Sequence, residues 1–551
     1  MEELLNDTNN FVPTKFSNRT NKELKHILNM EETINITLKK LHKDKLLSNQ
    51  DFYKLSPKGS QPGILYGSAK IHKALINNIP KFRPILSAIN TPSYNIAKFL
   101  VPILSTLTMN EYTVKDSFGF AKDIVQQNNE LIMASFDVDA LFSNIPLDET
   151  INICIDELFK NNSIVKNLNR NQVKELLELA TKQSFFIFND KFYTQVDGVA
   201  MGSPLGPTLA NSFLCYHEKK WLEQCPNEFR PVFYQRYVDD IFVLFKSRDH
   251  IDKFHSYLNS RHEKMKFSVE VEKENKLSFL DISITRDIGA NSFKTSLYRK
   301  PTFSGVYTNF KSFIDYKYKL SLLHSLLFRI FNICSDYNAI SLEIDKLKVI
   351  CQKNKYPIRV IEKCIFHFFN KIFVKKSLVY TVPKKKLIIS LEYLGKQSSV
   401  VKKRLQHIIK ESIPFCNVLV VFTSNNRLRN GFSFKDRIPK CLKSHLIYNF
   451  KCGSCEASYV GKTFRHYQIR TSEHLGISKL TNKPLSYSEN TATAIRKHQH
   501  YENHNNTAES FKIIGYAKNE SHLLIKESLS IQQLNPVLNK TVKSAPLYLF
   551  N

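Results

Sequence analysis

Two adjacent carboxylates, Asp239 and Asp240, interrupt an otherwise apolar, β-prone stretch over residues 236–245. A third carboxylate, Asp137, ends an earlier apolar segment. A buried carboxylate is costly unless a cation compensates it, and paired acids suit hard divalent cations. These residues therefore predict a Mg²⁺ site. Two such ions, about 3.5–4 Å apart, would support in-line phosphoryl transfer.

The elements that must position these acids can be inferred from the neighbouring sequence. Asp239 and Asp240 separate two apolar runs, which is typical of a β-hairpin. Residues 198–211 form a small-residue turn followed by a helical stretch, and such a turn lets the backbone approach a base pair closely. Lys70 and Arg83 offer cations for a triphosphate. Taken alone, the acidic pair equally fits a plain hairpin, and the two cations a solvated surface.

The order of these segments, followed by residues 277–282 and 298–302, resembles reverse transcriptases over about residues 60–310. In detail it resembles those of Penelope-like retroelements. The resemblance implies that Asp137 and Asp239 are the principal Mg²⁺ ligands, with Asp240 beside them and Tyr237 near the primer terminus. The other implied substrate-binding residues are Lys70 and Arg83 at the triphosphate and Gly198, Met201, Gly202 and Pro204 in the loop that positions the templating pair.

Phe142 matches the bulky position that would collide with a ribose 2′-hydroxyl, so the resemblance favours DNA synthesis over RNA synthesis. An aromatic residue after a strand is also ordinary core, and that interpretation stays open.

A second group of residues lies near the end of the chain. Tyr448, Tyr459 and Gly461 lie in a predicted β-hairpin, and a polar helical stretch with Arg470 and His474 follows. This resembles the GIY-YIG nuclease module, with Leu446 in place of the first Gly and Val460 in place of the central Ile. The resemblance implies paired tyrosines at Tyr448 and Tyr459, one of which helps water lose a proton, Arg470 at the phosphate, His474 in proton transfer, Glu527 on one Mg²⁺ and Asn539 as the terminal polar residue. Asn535 competes with Asn539 for the last role.

Two cysteines and two histidines could form a closed zinc site within this module. Cys452 and Cys455 precede His498 and His504 by about forty residues, and the spacing lies in the zinc-ligand range. Because four protein ligands leave no position for water, the predicted Zn²⁺ is structural. The set resembles the Cys-Cys-His-His subgroup of Penelope-like endonucleases. His500 is an alternative ligand, and an incidental Cys-x-x-Cys is the other interpretation.

Composition supports a nucleic-acid partner. The 551 residues include 79 Lys and Arg against 50 Asp and Glu, a formal net charge of +29, which implies a polyanion bound in a salt-dependent way. Ten cysteines in a chain of this length do not indicate a secretory disulfide framework. No apolar run has the length of a membrane span, so no membrane partner is expected.

The length predicts two to four compact units, and we expect an α+β, multidomain fold. The resemblance implies a right-hand polymerase whose palm holds an antiparallel sheet, followed by a small α/β nuclease domain with the zinc site. The predicted domains are an N-terminal extension of short helices at residues 1–60, fingers and palm at 61–310, a helical thumb at 311–395, a connector at 396–440 and the endonuclease at 441–551.

These features together predict an RNA-directed DNA polymerase fused to a DNA-nicking endonuclease. By its resemblance to Penelope-like retrotransposons, the protein would use target-primed reverse transcription. Its partners would be the element RNA, target DNA and dNTPs, its cofactors two Mg²⁺ in the polymerase, one in the nuclease and the structural Zn²⁺, and its location nuclear after cytoplasmic synthesis. The alternatives are a catalytically decayed or domesticated nucleic-acid-binding protein and a maturase-like reverse transcriptase. The oligomeric state stays open.

Overall fold

The protein has a mixed α/β, multidomain architecture. The computed structural model describes residues 5–8, 10–14, 22–70, 80, 82–160, 165–182, 184–287, 289, 292–373, 385–413, 415–424, 431–432, 435–478, 483–517 and 519–539. None of the helices in these ranges is both long enough and apolar enough to cross a membrane.

The first part of the chain, to residue 310, alternates strands with helices. Its strands are β1 (Phe11–Pro13), β2 (Gly63–Ala69), β3 (Phe82–Ser87), β4 (Ile132–Val138), β5 (Ser184–Phe188), β6 (Lys191–Gln195), β7 (Phe233–Tyr237), β8 (Asp240–Phe245), β9 (Phe267–Val271), β10 (Lys276–Phe279), β11 (Ile282–Asp287) and β12 (Ser292–Leu297). Its helices are α1 (Lys22–Lys43), α2 (Asn49–Leu55), α3 (Tyr94–Leu104), α4 (Ser117–Val125), α5 (Leu141–Asn144), α6 (Leu147–Leu158), α7 (Arg170–Thr181), α8 (Gly206–Glu223) and α9 (Arg248–Arg261).

The central sheet is antiparallel, with strand order β7-β8-β4-β9. Phe136 of β4 joins a large core with Phe213 of α8 and Phe254 of α9. Met133 and Phe242 belong to a second core that contains the β10–β11 hairpin. These two cores cover both faces of the sheet, so polar side chains are accommodated at the strand ends. The three acids lie at such ends.

A five-stranded sheet, with order β1-β6-β5-β2-β3, carries Arg83 on β3. Helix α1 packs in two different hydrophobic cores. Ile34 and Leu38 pack in the large core, whereas Leu24 and Ile27, nearer its start, pack with residues of the C-terminal domain. The short helices predicted for residues 1–60 thus include one helix of 22 residues, stabilised by tertiary packing along its length.

Three helices follow, α10 (Tyr316–Ile333), α11 (Tyr337–Lys353) and α12 (Ile358–Phe373), and they share a core of their own. Next come β13 (Lys385–Glu392), α13 (Gln397–Ser412) and β14 (Cys416–Thr423), in which the two strands pair in parallel. The segment predicted to be helical to residue 395 therefore ends in a strand, because β13 needs β14 from beyond that boundary as its partner.

The C-terminal domain contains β15 (Leu446–Lys451), β16 (Ser458–Thr463), α14 (Tyr467–Leu475), α15 (Ala494–Tyr501), β17 (Phe511–Tyr516) and α16 (Glu520–Leu534). Its antiparallel sheet has the order β16-β15-β17. One core joins β15 to α14, α15 and β17, and a second joins β15 and β16 to α16.

The C-terminal domain packs directly against the N-terminal region. Ser444 Oγ donates to the Gly59 carbonyl at 2.5 Å, and the buried His466 ring lies 2.6 Å from the Ser60 carbonyl through Nε2. Gly59 has a φ of +67°, and a Cβ there would lie 2.2 Å from the Phe464 carbonyl oxygen. This close approach requires glycine. Helix α14 begins immediately after His466, so the contact lies at its first turn.

Candidate active sites and metal centre

The acidic site consists of Asp137, Asp239 and Asp240. Strands β7 and β8 form a hairpin in which Tyr237 pairs with Asp240, so Val238 and Asp239 make the turn. Asp137 pairs with Asp240 across β4 and β8, and the Val138 N–H donates to the Asp239 carbonyl at 3.1 Å. The fold therefore brings the three predicted ligands to one end of two neighbouring strands.

The electrostatics of the acidic site fit a divalent cation. Loss of hydration to the surrounding protein, followed by the charges of Asp239 and Asp137, raises the pKa of Asp240 to about 6, against an opposing effect of Lys300. Bound Mg²⁺ would remove this repulsion. Among the residues described, the three carboxylates do not all lie within 4.8 Å of one another, so sharing ions would require side-chain rotation.

The predicted template loop is held against strand β3 by backbone contacts. The Leu86 N–H of β3 donates to the Met201 carbonyl at 2.8 Å. Gly198 and Gly202 have φ values of +73° and +126°, and a Cβ on Gly202 would lie 2.4 Å from the Leu86 carbonyl oxygen. Both positions therefore need glycine, and Pro204 follows, half-buried, before α8 begins.

The remaining predicted substrate residues surround this loop. Phe142 is half-buried against the large core, and its carbonyl accepts the Val199 N–H at 2.7 Å. Tyr237 is 41% exposed at the start of the turn. Arg83 is exposed on β3. Lys70 is half-buried and follows the end of β2, the strand that pairs with β3. The structure thus leaves Phe142 in contact with both the core and the loop.

Sequence reasoning missed the buried support of the acidic turn. Arg236 is fully buried and bonded to Glu218 of α8, which is 2% exposed. The only sequence signal was a cation inside an apolar strand, and nothing local showed which acid would pair with it.

The C-terminal site comprises Tyr448, Tyr459, Arg470, His474 and Glu527. Tyr448 is buried on β15 opposite Gly461 of β16. A Cβ on Gly461 would lie 2.5 Å from the Tyr448 hydroxyl and 2.7 Å from the Tyr459 ring, so only glycine leaves room for both tyrosines. The His474 ring contacts both, with centroids 5.6 and 5.7 Å away.

His474 lies between two hydroxyl groups in the buried part of the site. A guanidinium can only donate, so the Tyr448 oxygen accepts from Arg470 Nε at 3.1 Å. The Tyr448 hydroxyl oxygen also lies 2.6 Å from Nε2 of His474, and Nδ1 of the same ring lies 2.8 Å from Thr493 Oγ1. Burial, reinforced by Arg470, lowers the pKa of His474 far below its usual range, so the ring is neutral. Hydrogen bonds therefore connect Arg470, Tyr448, His474 and Thr493 in one chain.

Three residues around this site were not among the predicted catalytic residues. Thr493 caps α15 by accepting the Arg496 N–H, so the helix that carries His498 also contacts His474 through its first turn. Glu473 accepts from Arg465 at 2.5 and 2.7 Å and from Arg470 at 3.2 Å. Burial acts to raise the pKa of Glu473, but Arg465 outweighs it and lowers the pKa. This network orients Arg470.

Glu527 and Asn539 occupy distinct environments. The Glu527 carboxylate, 9% exposed, accepts from Lys462 at 2.8 Å. A single carboxylate fits Mg²⁺, which binds proteins through few carboxylates and keeps several waters. Asn539 bonds both backbone groups of Val460, at 2.9 and 2.8 Å. Asn535 instead ends α16 in the left-handed conformation, with a φ of +43°. Of the two asparagines, Asn539 is therefore the one shown to bond to strand β16 of the site.

The Cys/His cluster brings together the four residues predicted to bind zinc. Cys452 Sγ lies 3.4 Å from His504 Nδ1, Cys455 Sγ 3.5 Å from His498 Nε2, and the two ring nitrogens 3.4 Å apart. Tetrahedral Zn²⁺ with standard bond lengths spaces its ligands about 3.3–3.8 Å apart. The cluster therefore fits Zn²⁺. The alternative ligand His500 instead stacks on Tyr487, at a centroid distance of 3.8 Å.

Of the two cysteines, Cys452 is electrostatically prepared to bind a metal. Burial acts to raise the pKa of Cys452, but hydrogen bonds from the Ser454 backbone and His498 lower it to about 6. Asn506 Nδ2 lies 3.6 Å from Cys452 Sγ, and the Ala457 N–H donates to Cys455 Sγ at 3.5 Å. Such contacts stabilise thiolates, the form that binds zinc.

Comparison with known protein families identifies the part of the chain that contains the first of these sites. Residues 71–302 match the family model of reverse transcriptase (RNA-dependent DNA polymerase), and residues 306–366 match the animal helix-turn-helix domain, over α10, α11 and the start of α12. The protein therefore contains a reverse transcriptase domain, which supports RNA-directed DNA polymerase activity. Reverse transcriptases generally use Mg²⁺, in keeping with the acidic site. No curated protein matches the chain.

The chain is also similar to several solved structures. Telomerase from Candida albicans, in complex with a fragment of telomeric RNA, is 13% identical over 59% of this chain, with a TM-score of 0.39. Apo telomerase from Candida tropicalis is 12% identical over 68%, with a TM-score of 0.36. The chain spans 61% of the length of each. The Sicinivirus 3Dpol RNA-dependent RNA polymerase is 11% identical over 58% of this chain and 71% of its own, with a TM-score of 0.35.

Proposed function

We propose that this protein is the reverse transcriptase and DNA-nicking endonuclease of a Penelope-like retrotransposon, and that it acts by target-primed reverse transcription. The C-terminal site would nick target DNA, and the acidic site would extend the freed 3′-hydroxyl on the element RNA with dNTPs. The observation that carries the proposal is the second site itself, in which a neutral His474, Tyr448 and Arg470 converge beside the carboxylate of Glu527. Nicking and copying at chromosomal DNA would require the protein to enter the nucleus after its synthesis in the cytoplasm.

Each residue of the C-terminal site has a chemical task in strand cleavage. Tyr448, which accepts from Arg470 and is hydrogen-bonded to His474, would help an attacking water lose its proton, and His474 would assist that proton transfer. Arg470, oriented by Glu473, stabilises negative charge on the phosphate. Glu527 would hold Mg²⁺, which would stabilise the leaving oxygen. The contacts of Ser444 and His466 with residues 59–60 keep the two sites in one assembly.

The test is a coupled reaction with the purified full-length protein, element RNA, supercoiled plasmid and labelled dNTPs. We expect labelled DNA that is covalently joined to nicked plasmid. Extension of added primers without plasmid nicking would reduce the function to a reverse transcriptase of the maturase-like class. Binding of RNA with neither reaction would indicate a catalytically decayed protein.

Zinc should be a structural component of the C-terminal domain. We expect about one tightly bound Zn²⁺ per chain, lost in the variant Cys452→Ser/Cys455→Ser together with local unfolding, because zinc binding contributes to the folding of such domains. Primer extension on RNA should continue. Elemental analysis measures the metal, and Cys416→Ser/Cys441→Ser is the control, since these cysteines lie outside the cluster. Zinc retained by the first variant would show that other residues bind it.

Phe142 should select deoxyribonucleotides. We expect Phe142→Val to raise the use of ribonucleotides relative to dNTPs by about 10-fold or more, because the smaller side chain leaves room for a 2′-hydroxyl. Competition between dNTP and rNTP in primer extension measures this ratio. Phe99→Val, at another half-buried position of the same core, controls for lost packing. Equal ratios in both variants would assign Phe142 to the core alone.

A further inference from the structure

A charged pair lies buried directly beneath the turn that carries Asp239. Arg236 Nε bonds to Glu218, and both side chains are almost completely removed from solvent. Burying two charges is expensive, and replacing such pairs with apolar residues is often neutral or stabilising. Stability alone therefore does not explain an arginine at this position. The other contacts of the Arg236 guanidinium explain it.

The guanidinium holds the turn itself. Its Nη1 donates to the Val238 carbonyl at 3.1 Å and to Asn211 Oδ1 at 2.9 Å. Val238 is a β-branched residue with a φ of +56°, in the left-handed region that such residues rarely adopt. A residue in this conformation is strained, and it persists where the surrounding structure over-determines it. Arg236 supplies that restraint from inside the protein.

The same residue connects the turn to two other elements. Asn211 and Glu218 both lie on α8, the helix that follows the loop of Gly202 and Pro204. On the other side, the Arg236 N–H donates to the Tyr112 carbonyl at 2.7 Å, and the Val114 N–H donates to the Arg236 carbonyl at 2.8 Å. The position of Arg236 is therefore fixed independently of the turn it holds.

We propose that Arg236, fixed by Glu218 and Asn211, is a positioning residue of the polymerase that holds the Val238–Asp239 turn in its strained conformation and so aligns Asp239 with Asp137 for metal binding. An apolar side chain could fill the same space but could not donate to the Val238 carbonyl. This inference depends on the reverse transcriptase domain and is independent of the endonuclease.

The test is the variant Arg236→Met/Glu218→Met, which removes both charges together and so leaves neither unpaired. We expect a folded protein whose kcat for primer extension falls about 10–100-fold, as is typical when residues behind metal ligands are removed. The Mg²⁺ concentration for half-maximal activity should rise, while the KM for dNTP changes little. Arg286→Met/Glu272→Met is the control, because it removes another largely buried Arg–Glu pair that does not contact the turn.

Asn211→Leu provides a second test that keeps the Arg236–Glu218 pair. It removes one acceptor of Nη1, and we expect a smaller rise in the Mg²⁺ requirement in the same direction. If the double variant does not fold, this single variant decides the question. A wild-type Mg²⁺ requirement in every folded variant would overturn the proposal. The proposal would also be overturned if kcat fell equally in the Arg236/Glu218 and Arg286/Glu272 double variants without any change in Mg²⁺ dependence.

Discussion

Asp239→Ala should abolish dNTP incorporation on a primed RNA template while plasmid nicking continues. Asp239 lies in the turn between β7 and β8, beside Asp240, and its carbonyl accepts the N–H of Val138, the residue after Asp137. Burial, followed by the charges of Asp239 and Asp137, raises the pKa of Asp240. Removing one ligand should weaken metal binding and reduce extension by about 10²–10³-fold or more. Primer extension at several Mg²⁺ concentrations measures the loss, because excess metal would not restore a missing ligand.

The matched control for this prediction is Asp249→Ala. Asp249 is an exposed carboxylate on α9, shortly after the same hairpin, and its loss removes the same charge without touching the acidic site. We expect wild-type extension from it. Extension by the Asp239 variant at the control rate would remove Asp239 from the metal site and leave the hairpin with a structural role.

Glu527→Ala and Arg470→Ala should each eliminate plasmid nicking. The first removes the carboxylate proposed to hold Mg²⁺, and the second removes the guanidinium that bonds Tyr448. Loss of one charge contact to a transition state costs about 10²–10³-fold in rate, and loss of the metal ligand at least that much. Conversion of supercoiled to nicked plasmid measures the rate. Glu520→Ala, at an exposed position on the same helix as Glu527, should nick normally.

A pre-nicked plasmid distinguishes cleavage from binding in these variants. Both variants should extend its 3′-hydroxyl on the element RNA at the wild-type rate, since the supplied end replaces the missing step. Failure on pre-nicked DNA would mean that the C-terminal domain binds the target rather than cuts it. Normal nicking of intact plasmid by either variant would contradict the role assigned to that residue.

The residues that could be predicted are those whose chemistry conflicts with their local pattern. Asp239 and Asp240 are carboxylates inside an apolar, strand-forming run, and such a conflict indicates a turn with a polar task. The pairs Cys452–Cys455 and His498–His504 have a spacing that few other interactions require. In each case the signal is local in the chain, so residue type and spacing were sufficient.

The domain limits were harder to predict from the sequence, because strand pairing depends on residues that are distant along the chain. Strand β13 is basic at its start, and it pairs with β14, which follows helix α13 in the chain. Likewise, nothing within α1 shows that its first turns pack with the C-terminal domain while its later turns pack in the large core. An amphipathic pattern predicts a buried face without naming what covers it.

The sequence by itself determined the candidate chemical groups of this protein: three carboxylates proposed to bind metal ions, two tyrosines with an arginine and a histidine, and a Cys/His set. The tertiary structure alone decided which residues hold those groups in place. Arg236 meets Glu218 and Asn211, and His474 meets Thr493, only because packing brings separate elements together. These contacts hold a strained turn in one site and keep a neutral histidine ring between two hydroxyl groups in the other. Such properties belong to the arrangement of donors and acceptors in space, which residue spacing along the chain does not encode.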